Sequence, residues 1–363
     1  MRRGLISWSR DEVPPSVLEG RVARLQEQMR AEELGVVLIY TSFARPSAVA
    51  WLTHFVPYWN EALLVVQPSG TPVLLAAFSK RMHDWIRSVS HVGEVRSAPD
   101  LGRAAAAFLK ERPSEPSRIG VLELDALPWP VAEPIMKSEY GRAVVDATGL
   151  FASIRQPADE AEIRLARRAA TIAAQAFKAI PAGAKSASEL LSALDGSARL
   201  AGAEEVLPRL ASDLRADATL RRLEGDALLG ERYAVELSVA YKATWVRITR
   251  CVSIQAVPPS WRGAADRFIE TVERLNEANL SLEPEVAGSV RPGKTVSWVL
   301  ETCRGSPPLS IVATGETPSP SPSTLPGGSL ACFSLQLDLD DGPWLGGEPL
   351  ILGSGGQPSR LLI

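Results

Sequence analysis

Arg155-Gln156-Pro157-Ala158-Asp159-Glu160-Ala161-Glu162-Ile163-Arg164-Leu165-Ala166-Arg167-Arg168-Ala169-Ala170, running on to Ile180 and stopping at Pro181-Ala182-Gly183, divides this sequence in two. From Asp159 to Ile180 the chain is an unbroken run of Ala, Arg, Glu and Ile, residues of high helix propensity, and Pro181 and Gly183 end it. Composition changes after Phe151, so the long helix opens a second domain, with the first over 1–152 and the second over 153–363. A chain of 363 residues exceeds one ordinary core and favours two domains of its own accord.

Downstream of that helix, Ser188 to Ala201 reads as a second one, and Tyr233–Val239 with Thr244–Ile254 as two strands joined by a short turn. Ala264 to Leu282 reads as a helix before Pro284, and Val296 to Cys303 as a shorter helix. The proline- and serine-rich stretch from Pro307 to Gly328 lacks the backbone donors of an interior strand and reads as a loop. Ser329–Asp338 and Glu348–Leu352 return to strand character. Helices packed on an antiparallel sheet fit this order.

Upstream, Leu18, Val22, Leu25 and Met29 recur at helical spacing and lead into the apolar strand Val36–Tyr40. Ala62–Gln67 and Val73–Ala77 flank the turn Pro68-Ser69-Gly70-Thr71-Pro72 as a hairpin. Leu101–Glu111 reads as a helix and Arg118–Leu122 as a strand, giving an α/β layered domain.

The chain is 45% hydrophobic and 22% charged with a net charge of −3, a balance that favours folding and gives no basic surface for nucleic acid. No apolar run is long enough for a membrane span and none near the start resembles a secretory signal, so a cytoplasmic location is expected. Cys251, Cys303 and Cys332 lie far apart with no histidine near them, which argues against a zinc site or a disulfide framework.

Several segments in order resemble one family. Ala50-Trp51-Leu52-Thr53-His54-Phe55 resembles the "YLTGF" segment of creatinases, prolidases and aminopeptidases P. Arg155 with Asp159–Ile163 is similar to the "R-x-x-K-x-x-x-E-I" start of their catalytic domain, and Leu223–Ala227 to the "L-x-x-G-D" turn. Ile248-Thr249-Arg250 matches "D-I-T-R" except at its first residue, Arg291-Pro292-Gly293-Lys294 is similar to the "K-P-G" turn, and Leu325 to Leu335 to the "L-x-P-G-M-V-F-T-I" strand. The resemblance implies a creatinase-like N-terminal α/β domain followed by a pita-bread C-terminal domain of α+β type, and a homodimer.

The family's metal-dependent members bind two divalent ions through two aspartates, a histidine and two glutamates. The aspartates lie eleven residues apart, which here falls on Glu236 and Arg247, and arginine, a permanent cation with donors only, cannot coordinate. The only histidines are His54, His83 and His91, all in the N-terminal domain. The glutamate positions fall on Gln336, a poor ligand for hard metals, and on Glu348. No metal and no other cofactor is expected.

Creatinase works without metal but with a histidine, which the segment Leu207–Leu223 lacks; Asp213, Asp217 or Glu224 would have to replace it. His54 supplied across a dimer interface is the other candidate, although its neighbours Trp51, Phe55, Tyr58 and Trp59 fit plain packing better. Arg247, Thr249, Arg250 and Gln336 are the candidate ligand-binding residues, with Glu236 and Glu348 as candidate bases. Against that stands the blander reading of Arg247 as half of a buried arginine–glutamate pair, and of Thr249 and Arg250 as strand supports. The leading expectation is a catalytically degenerate relative that binds a small molecule or a protein, including an active relative as heterodimer partner. The rival is a metal-independent hydrolase of a small amide, guanidino or X-Pro substrate.

Overall fold

The computed structural model describes residues 7–57, 59–111, 118–222, 225–278, 280, 296–302, 310–314 and 325–363. The chain forms two compact units, Met1–Arg155 and Gln156–Ile363. Tyr58, Cys303, the Leu223-Glu224 pair, the Arg291–Lys294 turn and most of the proline-rich loop lie outside the described residues.

The first unit runs α1 (Pro15–Ala31), β1 (Val36–Ser42), α2 (Ser47–Thr53), β2 (Glu61–Val66), β3 (Val73–Ala76), α3 (His83–Val89), β4 (Glu94–Ser97), α4 (Leu101–Lys110), β5 (Ile119–Val121), α5 (Trp129–Met136), β6 (Val144–Asp146) and α6 (Thr148–Ile154). Its sheet has the order β4-β3-β2-β1-β5-β6, and β2 and β3 form the antiparallel hairpin read from the turn residues. Strand alternation divides the core. Val37, Ile39 and Leu64 pack with Val22, Leu25 and Met29 of α1, while Val36, Leu38 and Val65 pack with Leu101, Ala105 and Phe108 of α4 and Ile135 of α5. Both faces are covered, which is why these strands read as continuous apolar runs rather than alternating ones.

The second unit runs α7 (Glu160–Lys178), α8 (Ala187–Leu200), β7 (Glu205–Ala211), β8 (Arg232–Tyr241), β9 (Thr244–Ser253), α9 (Pro259–Arg274), β10 (Val296–Thr302), β11 (Ser310–Thr314), β12 (Leu330–Leu339), β13 (Gly342–Ile351) and β14 (Arg360–Leu361). The strands form one sheet in the order β11-β10-β12-β13-β9-β8-β7, with β14 on β13. Asp159 starts α7 by accepting a hydrogen bond from the Glu162 amide, a cap contributing about 1 kcal/mol, and Glu160 and Glu162 complement the helix dipole.

The three helices cover one face of this sheet. Ile172, Ala173 and Ala176 of α7 and Leu190 and Leu194 of α8 pack on Val235, Leu237, Val239 and Ile248. Trp261, Phe268 and Val272 of α9 pack on Phe333, Leu335 and Leu337, with the Phe268 and Phe333 rings 5.4 Å apart. Residues that alternate with these, Glu236 and Ser238 on β8, Arg247 and Thr249 on β9, and Ser334 and Gln336 on β12, therefore belong to the opposite face.

Three expectations need correction. Ser310–Thr314, inside the stretch read as a loop, is strand β11, which the proline-poor run from Ser310 to Thr314 allows at the edge of the sheet, paired with β10 alone. Val296–Cys303 is not a helix: Val296–Thr302 is a strand between β11 and β12, and cross-strand partners on both sides override the local preference of a short apolar run. Helix α9 occupies Pro259–Arg274 rather than Ala264–Leu282; Pro259 begins it at a position that needs no amide, and Leu275 turns to extended backbone.

Candidate functional site: the sheet face opposite the helices

Residues directly opposite each other in an antiparallel ladder share a face, so the register of this sheet lays out the site. Arg209 of β7 stands opposite Glu236 of β8, Glu236 opposite Thr249 of β9, Thr249 opposite Gly347 of β13, and Gly347 opposite Ser334 of β12. A polar row thus crosses five strands. In the adjoining row Ser238 is opposite Arg247.

Arg247 binds these strands together. Its Nη1 lies 2.5 Å from Glu301 Oε2 on β10, its Nε lies 3.5 Å from Glu236 Oε1, and Nε also donates to Ser238 Oγ at 3.3 Å. A second arginine, Arg209, donates from Nη1 to the same Glu236 oxygen at 3.1 Å and from Nη2 to the Leu220 carbonyl. Glu236 and Glu301 are buried, at 4% and 7% exposure. Burial first of all pushes the Glu301 carboxyl above its ordinary range, Arg247 pulls it back, and the Glu236 charge pushes it up further.

Thr249 and Ser334 flank Gly347 so closely that a methyl group on that glycine would sit 2.8 Å from Thr249 Oγ1 and 3.1 Å from Ser334 Oγ. Both hydroxyl oxygens are buried without a hydrogen-bond partner among the described residues.

Glu348 lies on the other face. It stands opposite Phe333, within the layer covered by α9, and pairs with Arg250. Arg250 also donates to the Thr249 and Gly347 carbonyls and lies 5.9 Å from the Phe177 ring of α7. Glu348 Oε2 is buried without a partner among the described residues, and burial raises its carboxyl with Arg250 lowering it in part.

The structure therefore brings Glu236, Arg247 and Thr249 together, and separates them from Arg250 and Glu348 by the thickness of the sheet. Gln336 stands two residues beyond Ser334, opposite Leu345 and Ser297. Beside Thr249, the β12 and β13 positions facing Glu236 are Ser334 and Gly347 rather than Gln336 and Glu348. His54 is buried at the left-handed C-cap of α2, with Nδ1 3.4 Å from the Val89 carbonyl and its ring stacked on Trp8. That environment makes it part of the core of the first unit.

Sequence reasoning missed Glu301 and Arg209. Glu301 was hidden by the helical reading of its segment, and Arg209 by the absence of any motif around β7. Alternation of Val206 and Leu210 with Leu207 and Arg209 is the one signal that marks Arg209 as lying on the second face.

These two units and their strand order define the pita-bread class of fold. The solved structures it resembles include the prolidase from Pyrococcus horikoshii OT3 (TM-score 0.69, 14% identity, 94% of this chain and 97% of that one covered). The X-Pro aminopeptidase from Thermotoga maritima MSB8 superposes with a TM-score of 0.70 at 17% identity, over 94% and 96%. The Xaa-Pro dipeptidase from Bacillus anthracis does so at 0.69 and 15%, over 95% and 97%. No curated protein matches. Residues 21–156 match the family model of the Creatinase/Prolidase N-terminal domain, and the whole chain shares the fold of the prolidase and aminopeptidase P structures.

The dinuclear metal centre of that family does not fit the residues present. A dication needs carboxylate or imidazole ligands with free lone pairs. Here both carboxylates of the face are bound by guanidinium groups, whose positive charge repels a metal. Among the described residues no group of three His, Cys, Asp or Glu side chains is arranged to hold a metal ion.

Proposed function

We propose that this chain is a catalytically degenerate member of the creatinase, prolidase and aminopeptidase P family, which retains the fold and uses it to bind a small molecule or a protein partner instead of hydrolysing peptides. The supporting observation is the pairing of Glu236 with both Arg209 and Arg247, and of Arg247 with Glu301, at the centre of the face where metal chemistry would require open carboxylates. General acid–base chemistry without metal is equally poorly supplied, since the second unit contains no histidine.

Hydrolysis assays on the purified chain with X-Pro dipeptides and small guanidino acids, with and without Mn²⁺, Co²⁺ or Zn²⁺, are expected to show no turnover above background. Turnover that Glu236→Ala abolishes would overturn the proposal. A thermal-shift screen with X-Pro dipeptides and small organic acids separates the two binding roles: stabilisation by one of them identifies a small-molecule site, because a ligand that binds only the native state raises the melting temperature. Among the described residues no helix is long and apolar enough to cross a membrane. A homodimer, or a heterodimer with an active relative, is the assembly proposed; light scattering of the purified chain giving a monomer mass would exclude the homodimer.

A further inference from the structure

On the reading that this face performs no metal chemistry, on which this inference rests, we infer that the Arg247 guanidinium is a built-in cation that braces the sheet in place of a bound divalent metal. Glu236 and Glu301 come from β8 and β10, which the strand order separates by β9, β13 and β12. Arg247 on β9 is three strand steps from Glu301, roughly 14 Å on a flat sheet at about 4.8 Å per step. The 2.5 Å contact between their side chains is therefore made by two long side chains reaching toward each other past the two strands between them.

Continuing the antiparallel count from Thr249 opposite Gly347, the row of Arg247 runs through Pro349 and Cys332 to Glu301, so the register puts both partners of the bridge in one row. One planar cation thus reaches a carboxylate on either side, from Nε to Glu236 and from Nη1 to Glu301. That is the task of a bridging metal ion, to hold anionic side chains from separate strands at one point, carried out by a group that is always charged and cannot be chelated away.

The test is cavity rescue. In the full-length chain, Arg247→Ala removes the cation and leaves room for a free one, so its melting temperature is expected to fall well below that of the wild type. It should recover in part on addition of millimolar guanidinium chloride, far below the molar concentrations at which that ion denatures. Sodium chloride at matched ionic strength should not restore it, and Arg247→Met, which fills the space, should not respond to guanidinium. Wild type should be indifferent to EDTA. Arg247→Ala melting with the wild type, or guanidinium acting no better than sodium, would overturn the inference.

Should Arg247→Ala not yield folded protein, Arg247→Lys serves instead: a point charge cannot span both carboxylates, so it is expected to melt below the wild type, and melting equal to the wild type would overturn the bridging role. Failure of the degenerate reading would look different, as metal-dependent X-Pro cleavage by the wild-type chain.

Discussion

Replacing Arg247 by Met tests the electrostatics of the face through their pH dependence. Arg247 is only 18% exposed and its partners less so, which places the cluster among buried ion pairs. Such pairs are weak net stabilisers as built, because desolvation opposes the attraction, yet removing one partner costs about 3–5 kcal/mol because the other charge is left uncompensated. At roughly 2–4 °C per kcal/mol for a unit of this size, the variant should melt on the order of 10 °C lower at neutral pH. Part of the Glu236 charge remains matched by Arg209, which sets the lower end of that range.

The sign of the pH effect follows from Glu301. Its folded-state carboxyl is raised above the ordinary 4.5, burial being the largest cause, so between the unfolded and folded values the native state binds more protons than the unfolded state. Stability from this group is therefore highest below the unfolded value and declines as pH rises through the folded one. Deleting Arg247 removes the main influence pulling the carboxyl down, extending that decline to higher pH. The gap between variant and wild type should be widest at mildly alkaline pH and close as the solution is acidified through the carboxylate range. Urea denaturation across a pH series measures it. A gap that stays constant with pH would show that the loss is one of packing, and would refute the charge argument.

Three further outcomes are expected. Gly347→Ala places a methyl 2.8 Å from Thr249 Oγ1 and 3.0 Å from Thr249 Cβ, and should destabilise by about 1–3 kcal/mol in urea unfolding, with recovery when Thr249→Ala is added; an unchanged midpoint would contradict the register that sets these side chains together. Burial pushes the Cys251 thiol up to about 12, so iodoacetamide should leave this residue unmodified in the native chain at neutral pH and modify it in urea, as read by peptide mass mapping. Asp159→Ala removes the α7 cap and should cost about 1 kcal/mol in chemical denaturation, with a loss near zero arguing that the cap is replaced by another group.

Much of the framework was legible in the chain. The 155–183 stretch carries its own cap, its alanine-rich face and its proline stop, so α7 could be read without knowledge of anything it packs on. The β8–β9 hairpin and the β2–β3 pair were equally local, because turn residues and apolar runs specify them within a few positions of each other. That arginine at residue 247 cannot coordinate a metal, and that no histidine occurs beyond residue 91, were facts of residue chemistry that no fold could reverse.

Tertiary structure decided which side chains meet. Side-chain direction in a strand alternates with every residue, so a register uncertain by one position exchanges the two faces completely. Glu348, taken from the family's glutamate position, stands opposite Phe333, and Gly347 is the residue beside Thr249. Strand β10, short and without turn signals, takes its form from hydrogen bonds to β11 and β12, and only the assembled sheet brings its Glu301 to Arg247. By itself the sequence determined that residue 247 is a permanent cation with no lone pair for a metal, since ligand chemistry belongs to residue types; which carboxylates that cation meets was decided by the strand order and register, since contacts across several strands are properties of the sheet as a whole.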